Sequence, residues 1–306
     1  MKYKDEGWGW LLAADFFLAG MGGGMLIIAG LVDLYIGAGR TSLLGNLIAP
    51  MFIAAGPVLL ILELGRPFQA LRVFLNPKSI LTIGSWTMSI AIVAGFAFAS
   101  FGTDLFPWSD MVVLRKILAI ICVSFGVIVV TYPGVLLGRL KSRPFWNGSG
   151  MVILFFLSSL VTGAAAHIIS GVIWNAPTMD TLNNFSLFIV SLLGLQLIMW
   201  FCYIWVKRSG TEMEASAAQM WTDGDFSISF KVGIIFLGIV LPLVFETVSG
   251  VTAHVLGALF ILLGNLIMRL VVVSSGNERT WIPGEKKYRS RLPHGNEAFL
   301  KAWISK

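Results

Sequence analysis

Charged residues are scarce in this chain. Asp, Glu, Lys and Arg make up 12% of its 306 residues, and the mean hydropathy is +0.83. A soluble globular protein carries about 25% charged residues. The apolar residues also fall into long uncharged blocks instead of the periodic faces of soluble helices or strands. The composition therefore excludes a soluble enzyme and predicts an integral membrane protein with little mass outside the bilayer.

Cysteine is equally scarce, which limits the redox chemistry that this protein can carry. Its two cysteines, Cys122 and Cys202, both lie in apolar runs. They cannot build a disulfide framework, and an iron–sulfur cluster needs more thiolates than the sequence provides. The sequence also has no P-loop, dinucleotide fingerprint or dense His and Cys metal motif. One-electron chemistry must therefore be supplied by another component.

Long uncharged segments predict eight transmembrane helices. About 20 apolar residues cross a bilayer. This places the spans at about 9–37, 42–64, 79–102, 111–138, 148–174, 182–207, 230–248 and 251–275. Only Glu246 and the turn-like Ser249-Gly250 separate the last two spans, so a seven-helix alternative merges them. We prefer eight, because the merged segment is far longer than the hydrocarbon core requires.

The spans define a single all-α transmembrane domain over residues 1–275. Four helices followed by four suit two bundles, so we predict two four-helix bundles within this domain. Residues 276–306 have a polar, basic composition and are predicted to form a C-terminal tail on the surface.

Basic residues are concentrated at one end of the predicted helices, which we call the basic end. The loops after spans two, four and six carry Arg66, Arg72, Lys78, Arg139, Lys141, Arg143, Lys207, Arg208 and Lys231. The loops after spans three and five contain no Lys or Arg. The positive-inside rule places these basic loops and both termini in the cytoplasm, and the protein in the cell membrane. A face that docks an acidic partner predicts the same pattern. The net charge of +6 therefore indicates orientation or docking, and not nucleic-acid binding.

Asp15 is the first candidate for chemistry, because an ionisable group in an apolar span is costly unless it is paired or hydrated. It lies one to two turns into the first span, and its neighbours offer no counter-charge. It is either an interfacial aspartate that reaches water or a buried carboxylate. In the second case it can bind a quinone carbonyl or relay a proton to it.

Three further polar residues are predicted at the same end and depth as Asp15. Glu63 and Arg66 end the second span at a spacing that allows an ion pair on one helix face. The structural alternative is a salt bridge that fixes the end of the span. Tyr132 lies near the end of the fourth span, where an interfacial aromatic belt is the alternative explanation. Their convergence with Asp15 favours a functional site.

Two histidines and a glutamate are predicted at the opposite end. His167 lies in the fifth span, His254 begins the eighth, and Glu246 lies between the seventh and eighth. Two histidines on different helices are able to ligate one b-type haem, although single membrane histidines more often hydrogen-bond a neighbouring helix. With Glu246 they mark either an outer proton exit or a hydrated vestibule.

Several motifs resemble the polysulfide reductase NrfD-type membrane subunits. The similar segments are Gly7-Trp8-Gly9-Trp10 leading into Ala14-Asp15-Phe16-Phe17-Leu18-Ala19-Gly20, then Leu62-Glu63-Leu64-Gly65-Arg66-Pro67 with Phe74-Leu75-Asn76-Pro77-Lys78-Ser79 and Gly84-Ser85-Trp86, and finally Tyr132-Pro133-Gly134 with Pro144-Phe145-Trp146 and Ser158-Ser159-Leu160-Val161-Thr162-Gly163. These matches span roughly Gly7 to Gly163. The helix count alone supports the resemblance in the second half of the chain.

The resemblance implies a quinone-reactive anchor with eight helices and no haem, which uses menaquinone or ubiquinone. Its expected partners are a ferredoxin-like iron–sulfur subunit with four cubanes and a catalytic subunit, often a molybdopterin enzyme. Such subunits commonly dock at the end that bears the N-terminus, frequently outside the cytoplasm, whereas the charge bias here favours the cytoplasmic side. The family contacts the quinone through a polar residue on helix one and a tyrosine late in helix four. The implied binding positions are Leu12, Asp15, Phe16, Tyr132 and Gly134.

We therefore expect the quinone-binding subunit of a respiratory oxidoreductase, without complete catalysis alone and with no metal site of its own. Asp15, Tyr132 and Arg66 are the expected catalytic residues, with Tyr132 donating to a quinone carbonyl and Arg66 stabilising developing negative charge or holding Glu63 ionised. The alternatives are a haem b cytochrome anchor and an ion-translocating module. Proton translocation would use Asp15, Glu63, Arg66, His167, Glu246 and His254.

Overall fold

In the computed structural model, the long secondary-structure elements of the protein are helices. It describes residues 9–37, 39–63, 72–76, 79–103, 105–174, 179–248 and 250–276, with the backbone alone described at 62, 63 and 179–181. The helices are α1 Trp10–Tyr35, α2 Leu43–Glu63, α3 Ile80–Ser100, α4 Val112–Gly138, α5 Gly150–Trp174, α6 Met179–Arg208, α7 Glu212–Thr222, a π-helix Ser229–Val240, α8 Leu241–Thr247 and α9 Val251–Ser275.

Within the described residues, eight helical segments are long and apolar enough to cross a membrane. Six are α1 to α6, the seventh is the π-helix continued by α8, and the eighth is α9. This confirms the prediction of an all-helical protein with eight candidate spans. Helices α1 and α2 run antiparallel, because Gly22 contacts Ile53 whereas Gly56, later on α2, contacts Asp15, earlier on α1. The division into two four-helix bundles stays a prediction.

The first helix, α1, lies at the centre of the packing. It contacts α2, α4, α5 and α9, and most of its residues are buried. Glycines allow these close approaches, because a Cβ at Gly30 would lie 2.7 Å from the carbonyl oxygen of Ala119 on α4. Small residues at such contacts let membrane helices pack backbone to backbone. The glycine-rich sequence of α1 is therefore explained by packing.

The tightest of these contacts joins α1 to α5 through two glycines. A Cβ at Gly163 would lie 2.5 Å from the carbonyl carbon of Gly24 and 2.6 Å from the nitrogen of Met25. A Cβ at Gly24 would in turn clash with the carbonyl oxygen of Ser159. Neither backbone leaves room for a side chain, so the contact fixes the register of the two helices.

A short helix outside the spans, α7, was not predicted from the sequence. Thr211 and Glu214 form a capping box at its start, with both reciprocal hydrogen bonds present. Lys207 donates to the Glu214 carboxylate at 2.6 Å and to the carbonyl oxygen of Pro144 at 2.8 Å. Burial alone would raise the pKa of Glu214, but the bonds from Lys207 and Thr211 outweigh it and lower that pKa. The pair therefore ties α7 to the end of α6.

The π-helix packs closely against α9. A Cβ at Gly233 would lie 2.9 Å from Ile267, and one at Gly238 would lie 2.9 Å from the Cα of Gly264. Regular π-helix is rare in proteins and often accompanies functional sites. Pro242 follows near the start of α8. The seventh span therefore combines two helix types, which its apolar composition alone did not predict.

Candidate functional site

Asp15 is buried on α1 near the basic end. Its side chain is 3% exposed, and in the described part of the chain its Oδ1 has no hydrogen-bond partner. A protein rarely keeps an ionisable side chain in an apolar span without a partner unless a ligand or proton uses it. The structure therefore favours the buried carboxylate over an interfacial aspartate that reaches water.

A glycine on α2 makes room for this carboxylate. Asp15 Oδ1 points at Gly56 so closely that a Cβ at that position would clash with it. Gly56 lies two turns before the end of α2, so both residues are at the basic end. Any larger residue at Gly56 would displace the Asp15 side chain. The free carboxylate oxygen therefore depends on α2 as much as on α1.

Tyr132 lies beside Asp15, on α4. Its ring rests on Gly84 of α3, where a Cβ would lie 2.5 Å from Cε2 and 2.6 Å from Cζ. The ring is partly buried, and its hydroxyl lies within electrostatic range of the Asp15 carboxylate. The site thus draws on α1, α2, α3 and α4, each at its basic end. It contains one potential donor, the Tyr132 hydroxyl, and one carboxylate oxygen that has no partner among the described residues.

The other predicted binding positions lie towards α5. The Phe16 ring packs edge-on against Phe155, with ring centroids 5.9 Å apart, and Leu12 packs against the same apolar core. Gly134 faces the backbone of α5, since a Cβ there would lie 2.5 Å from the Cα of Val152. Of the predicted set, the structure brings together Asp15 and Tyr132, and it uses Phe16 and Gly134 in helix packing.

The predicted Glu63–Arg66 pair lies outside the described residues. The backbone of Glu63 ends α2, at the same end as Asp15, but its side chain and all of Arg66 fall outside the described ranges. The roles predicted for Glu63 and Arg66 therefore stay predictions.

At the opposite end, Glu246 and His254 form a buried pair. His254 Nδ1 lies 2.9 Å from Glu246 Oε2, and both side chains are almost fully buried. Ser186 on α6 donates to the backbone carbonyl of Glu246 at 2.8 Å. The remaining polar atoms, Glu246 Oε1 and His254 Nε2, have no partner among the described residues. Two buried atoms are thus available to bind or release a proton.

His167 has different neighbours from His254. Its Nε2 lies 3.0 Å from the carbonyl oxygen of Met25 on α1, and its Nδ1 faces Gly45 on α2. The two histidines thus hydrogen-bond different helices, which matches the ordinary role of single membrane histidines and gives a shared haem no geometric support. His167, Glu246 and His254 share one end of the molecule without forming one cluster in the described structure.

Comparison with known proteins decides the family. A family model described as polysulphide reductase, NrfD, matches residues 2–279. The chain belongs to the NrfD family. It is 26% identical to the C subunit of polysulfide reductase from Wolinella succinogenes, over 90% of this chain and 96% of that protein. It is also 27% identical to protein NrfD of Escherichia coli, over 53% of this chain and 59% of that protein.

This NrfD-family protein also buries a cation that the sequence analysis did not single out. Arg269 on α9 is 2% exposed, and its Nη2 donates to Ser159 Oγ at 3.1 Å. Its guanidinium lies 3.9 Å from the ring centroid of Phe155, a cation–π contact. No acidic side chain in the described ranges pairs with it. An arginine inside a predicted span was the signal that would have found it.

A buried amide pair lies between Arg269 and the Glu246–His254 pair. Gln196 on α6 donates to Asn265 Oδ1 at 3.0 Å, and Gln196 Oε1 has no partner among the described residues. Asn265 lies one turn from Arg269 on α9, and His254 lies near the other end of that helix. The second half of this NrfD-family protein therefore carries a series of buried polar groups along α9.

Proposed function

We propose that this protein is the quinone-reactive membrane subunit of a multi-subunit respiratory oxidoreductase. It exchanges electrons between a membrane quinone and an iron–sulfur partner, and it has no complete catalytic activity alone. The observation that carries the proposal is the buried Asp15 carboxylate, whose Oδ1 has no partner among the described residues and which lies within electrostatic range of Tyr132. Buried polar atoms in proteins normally have partners, so an orphan in a membrane span indicates a ligand or a transferable proton.

The residues of the site fit menaquinone or ubiquinone. A quinone carbonyl needs a hydrogen-bond donor, and Tyr132 offers its hydroxyl. Reduction also needs protons, and Asp15 offers a carboxylate that can take up and release one. A bound quinone would supply the redox chemistry, which no side chain of this protein supplies.

The protein's own residues position the quinone and move the protons that its reduction requires. Tyr132, held against Gly84, donates to a carbonyl oxygen, and Asp15 moves a proton at its Oδ1. Helix α2 packs on Asp15 through Gly56, and α3 packs on Tyr132 through Gly84. Arg66 and Glu63 complete the site in the proposal, Arg66 by stabilising developing negative charge or holding Glu63 ionised.

The proposed partners are a ferredoxin-like iron–sulfur subunit with four cubanes and a catalytic subunit, often a molybdopterin enzyme. The similarity to the C subunit of polysulfide reductase over nearly its whole length supports a place in such a complex. Cys122 is buried on α4 and Cys202 is exposed on α6, so neither helps the other to hold a cluster. Docking at the basic end, which the charge bias puts in the cytoplasm, brings the partner near Asp15.

Tyr132→Phe tests the proposal. Removing one hydroxyl donor should lower quinone-linked turnover of the complex about tenfold. The partner's activity with an artificial dye should not change, since the dye bypasses the membrane subunit. Tyr35→Phe is the matched control, because Tyr35 is 84% exposed at the other end of α1. Unchanged quinone turnover in Tyr132→Phe would remove Tyr132 from the site.

The buried groups along α9 support a second part of the proposal, proton movement through the membrane. The Glu246–His254 pair has proton-carrying atoms without a partner among the described residues at the opposite end, and the Gln196–Asn265 pair and Arg269 continue from it towards the basic end. Glu246 and His254 exchange protons with the outer side, and His167 adds a separate polar group there. The quinone chemistry at Asp15 takes place at the basic end, and the Glu246–His254 pair lies at the opposite end of the same molecule.

Glu246→Gln tests this second part. In sealed vesicles we expect proton transfer linked to quinone turnover to fall by about tenfold or more, because the amide cannot release a proton. Quinone turnover with an uncoupler present should be retained. Asp110→Asn, which removes an exposed acid at the same end, is the control. Equal proton transfer in wild type and Glu246→Gln would exclude the pair from any path.

A further inference from the structure

An open groove lies between α6 and the π-helix at the basic end, away from Asp15. Its volume is about 420 Å³. The residues that line it are Trp200, Phe201, Ile204, Trp205, Arg208, Thr222, Phe230, Lys231 and Ile235. None of them belongs to the proposed quinone site or to the polar series along α9. The groove therefore needs an explanation of its own.

The interior of the groove is apolar and opens towards lipid. Trp200 and Phe230 form its floor, with ring centroids 5.3 Å apart, and both are buried. Phe201 and Trp205, on the lining side of α6, are 67% and 72% exposed. Trp200 precedes Arg208 by two turns, which carries the groove about 12 Å into the span. That length suits part of an acyl chain.

The π-helix provides the second wall of the groove. Its glycines Gly233 and Gly238 face α9, as their contacts with Ile267 and Gly264 show. Phe230, Lys231 and Ile235 consequently face α6. The close packing on one side thus leaves the other side open.

Two cations stand at the rim, where the groove meets the aqueous interface. Arg208 donates through Nη2 to Thr222 Oγ1 at 2.6 Å and to Asp223 Oδ2 at 2.9 Å. Lys231 Nζ lies 4.0 Å from Asp223 Oδ1, which is too far for a hydrogen bond. Both cations are about half exposed. Among the contacts that the structure describes, these two cations therefore share one carboxylate, that of Asp223.

We propose that this groove is a binding site for an anionic phospholipid. The phosphate binds Arg208 and Lys231, and one acyl chain lies along Trp200, Ile204 and Ile235. Basic pockets between membrane helices on the cytoplasmic side bind anionic head groups, and charge-assisted bonds to phosphate are the strong ones. A quinone head group carries no negative charge for these cations, and a partner in water cannot reach the floor.

Native mass spectrometry of the full-length protein from bilayers of equimolar phosphatidylglycerol and phosphatidylcholine tests the proposal. The wild-type protein should retain more phosphatidylglycerol than phosphatidylcholine. Arg208→Gln with Lys231→Gln should lower that preference about fivefold per cation removed. Arg139→Gln with Lys141→Gln removes two exposed cations from another loop at the same end and should leave it unchanged.

A second pair of variants separates the groove from general surface attraction. Ile235→Trp fills the apolar channel without changing charge, and it should reduce retained phosphatidylglycerol about tenfold. Val232→Trp adds the same bulk at a position 49% exposed outside the groove and should have no effect. Any of three results would overturn the proposal. The wild type could retain both lipids equally, the Arg139→Gln, Lys141→Gln variant could lose as much phosphatidylglycerol as the Arg208→Gln, Lys231→Gln variant, or the groove could retain a quinone.

Discussion

Asp15→Asn should lower quinone-linked turnover by about a hundredfold or more, since a positioned proton donor or acceptor contributes about 10²- to 10⁴-fold. Asparagine has nearly the same shape as aspartate but cannot take up or release a proton. Oδ1 has no hydrogen bond to lose within the described structure, so the fold should tolerate the change. Turnover of the whole complex, with quinone and then with an artificial dye, measures the effect.

The matched control is Asp33→Asn, on the same helix. Asp33 is also buried, but it pairs with Arg115 at 3.2 Å near the opposite end of α1. This variant should retain quinone turnover, although it loses an ion pair and some stability. A similar loss of turnover in both variants would mean that removing any buried carboxylate from α1 impairs quinone turnover. Full turnover in Asp15→Asn would exclude Asp15 as the proton-carrying group.

Gly24→Ala should destabilise the protein by about 3 kcal/mol or more, at the upper end of overpacking effects. The added methyl group would clash with the carbonyl oxygen of Ser159, which is backbone and cannot rotate away. Relief would require α1 and α5 to separate, which would loosen the contact at Gly163 as well. Thermal unfolding in detergent measures the loss of stability, and the yield of folded protein from membranes is a second measurement of it.

Gly194→Ala is the control for that experiment. Gly194 lies within a span, on α6, and a Cβ there meets nothing within 4 Å. Alanine also has a higher helix propensity than glycine by about 1 kcal/mol. This variant should therefore be neutral or slightly stabilising. Equal stability of Gly24→Ala and wild type would show that α1 and α5 are not packed as tightly as the structure has them.

The spans could be predicted because their signal is local. Uncharged runs mark where the polypeptide can enter a bilayer, and rare charges within them, such as Asp15, stand out individually. The helix α7 has a local signal too, the capping box of Thr211 and Glu214, but its few turns lack an apolar run. The π-helix depends on how Gly233 and Gly238 meet α9, and no local pattern encodes that.

The site could be predicted only in part for the same reason. Asp15 and Tyr132 follow from their residue types and depth in the spans, whereas Gly56 and Gly84 matter only through helix register. The pairing of Glu246 with His254 required the turn between two spans to bring them together. Arg269 was present in the sequence as a charge within a span, and its cation–π contact with Phe155 required the packing of α9 on α5.

The central position of α1 has a consequence for biogenesis. A ribosome delivers α1 to the membrane before the other seven spans described above, yet the helices that cover it include α5 and α9, and α9 is synthesised last of the eight. The contact of Arg269 with Ser159, beside Gly20, can form only then. Until α5 and α9 are made, α1 therefore lies in the bilayer with Gly20 and Gly24 uncovered. Assembly is thus a late event that depends on contacts distant in sequence, and the first of these eight helices to insert is among the last to be completed.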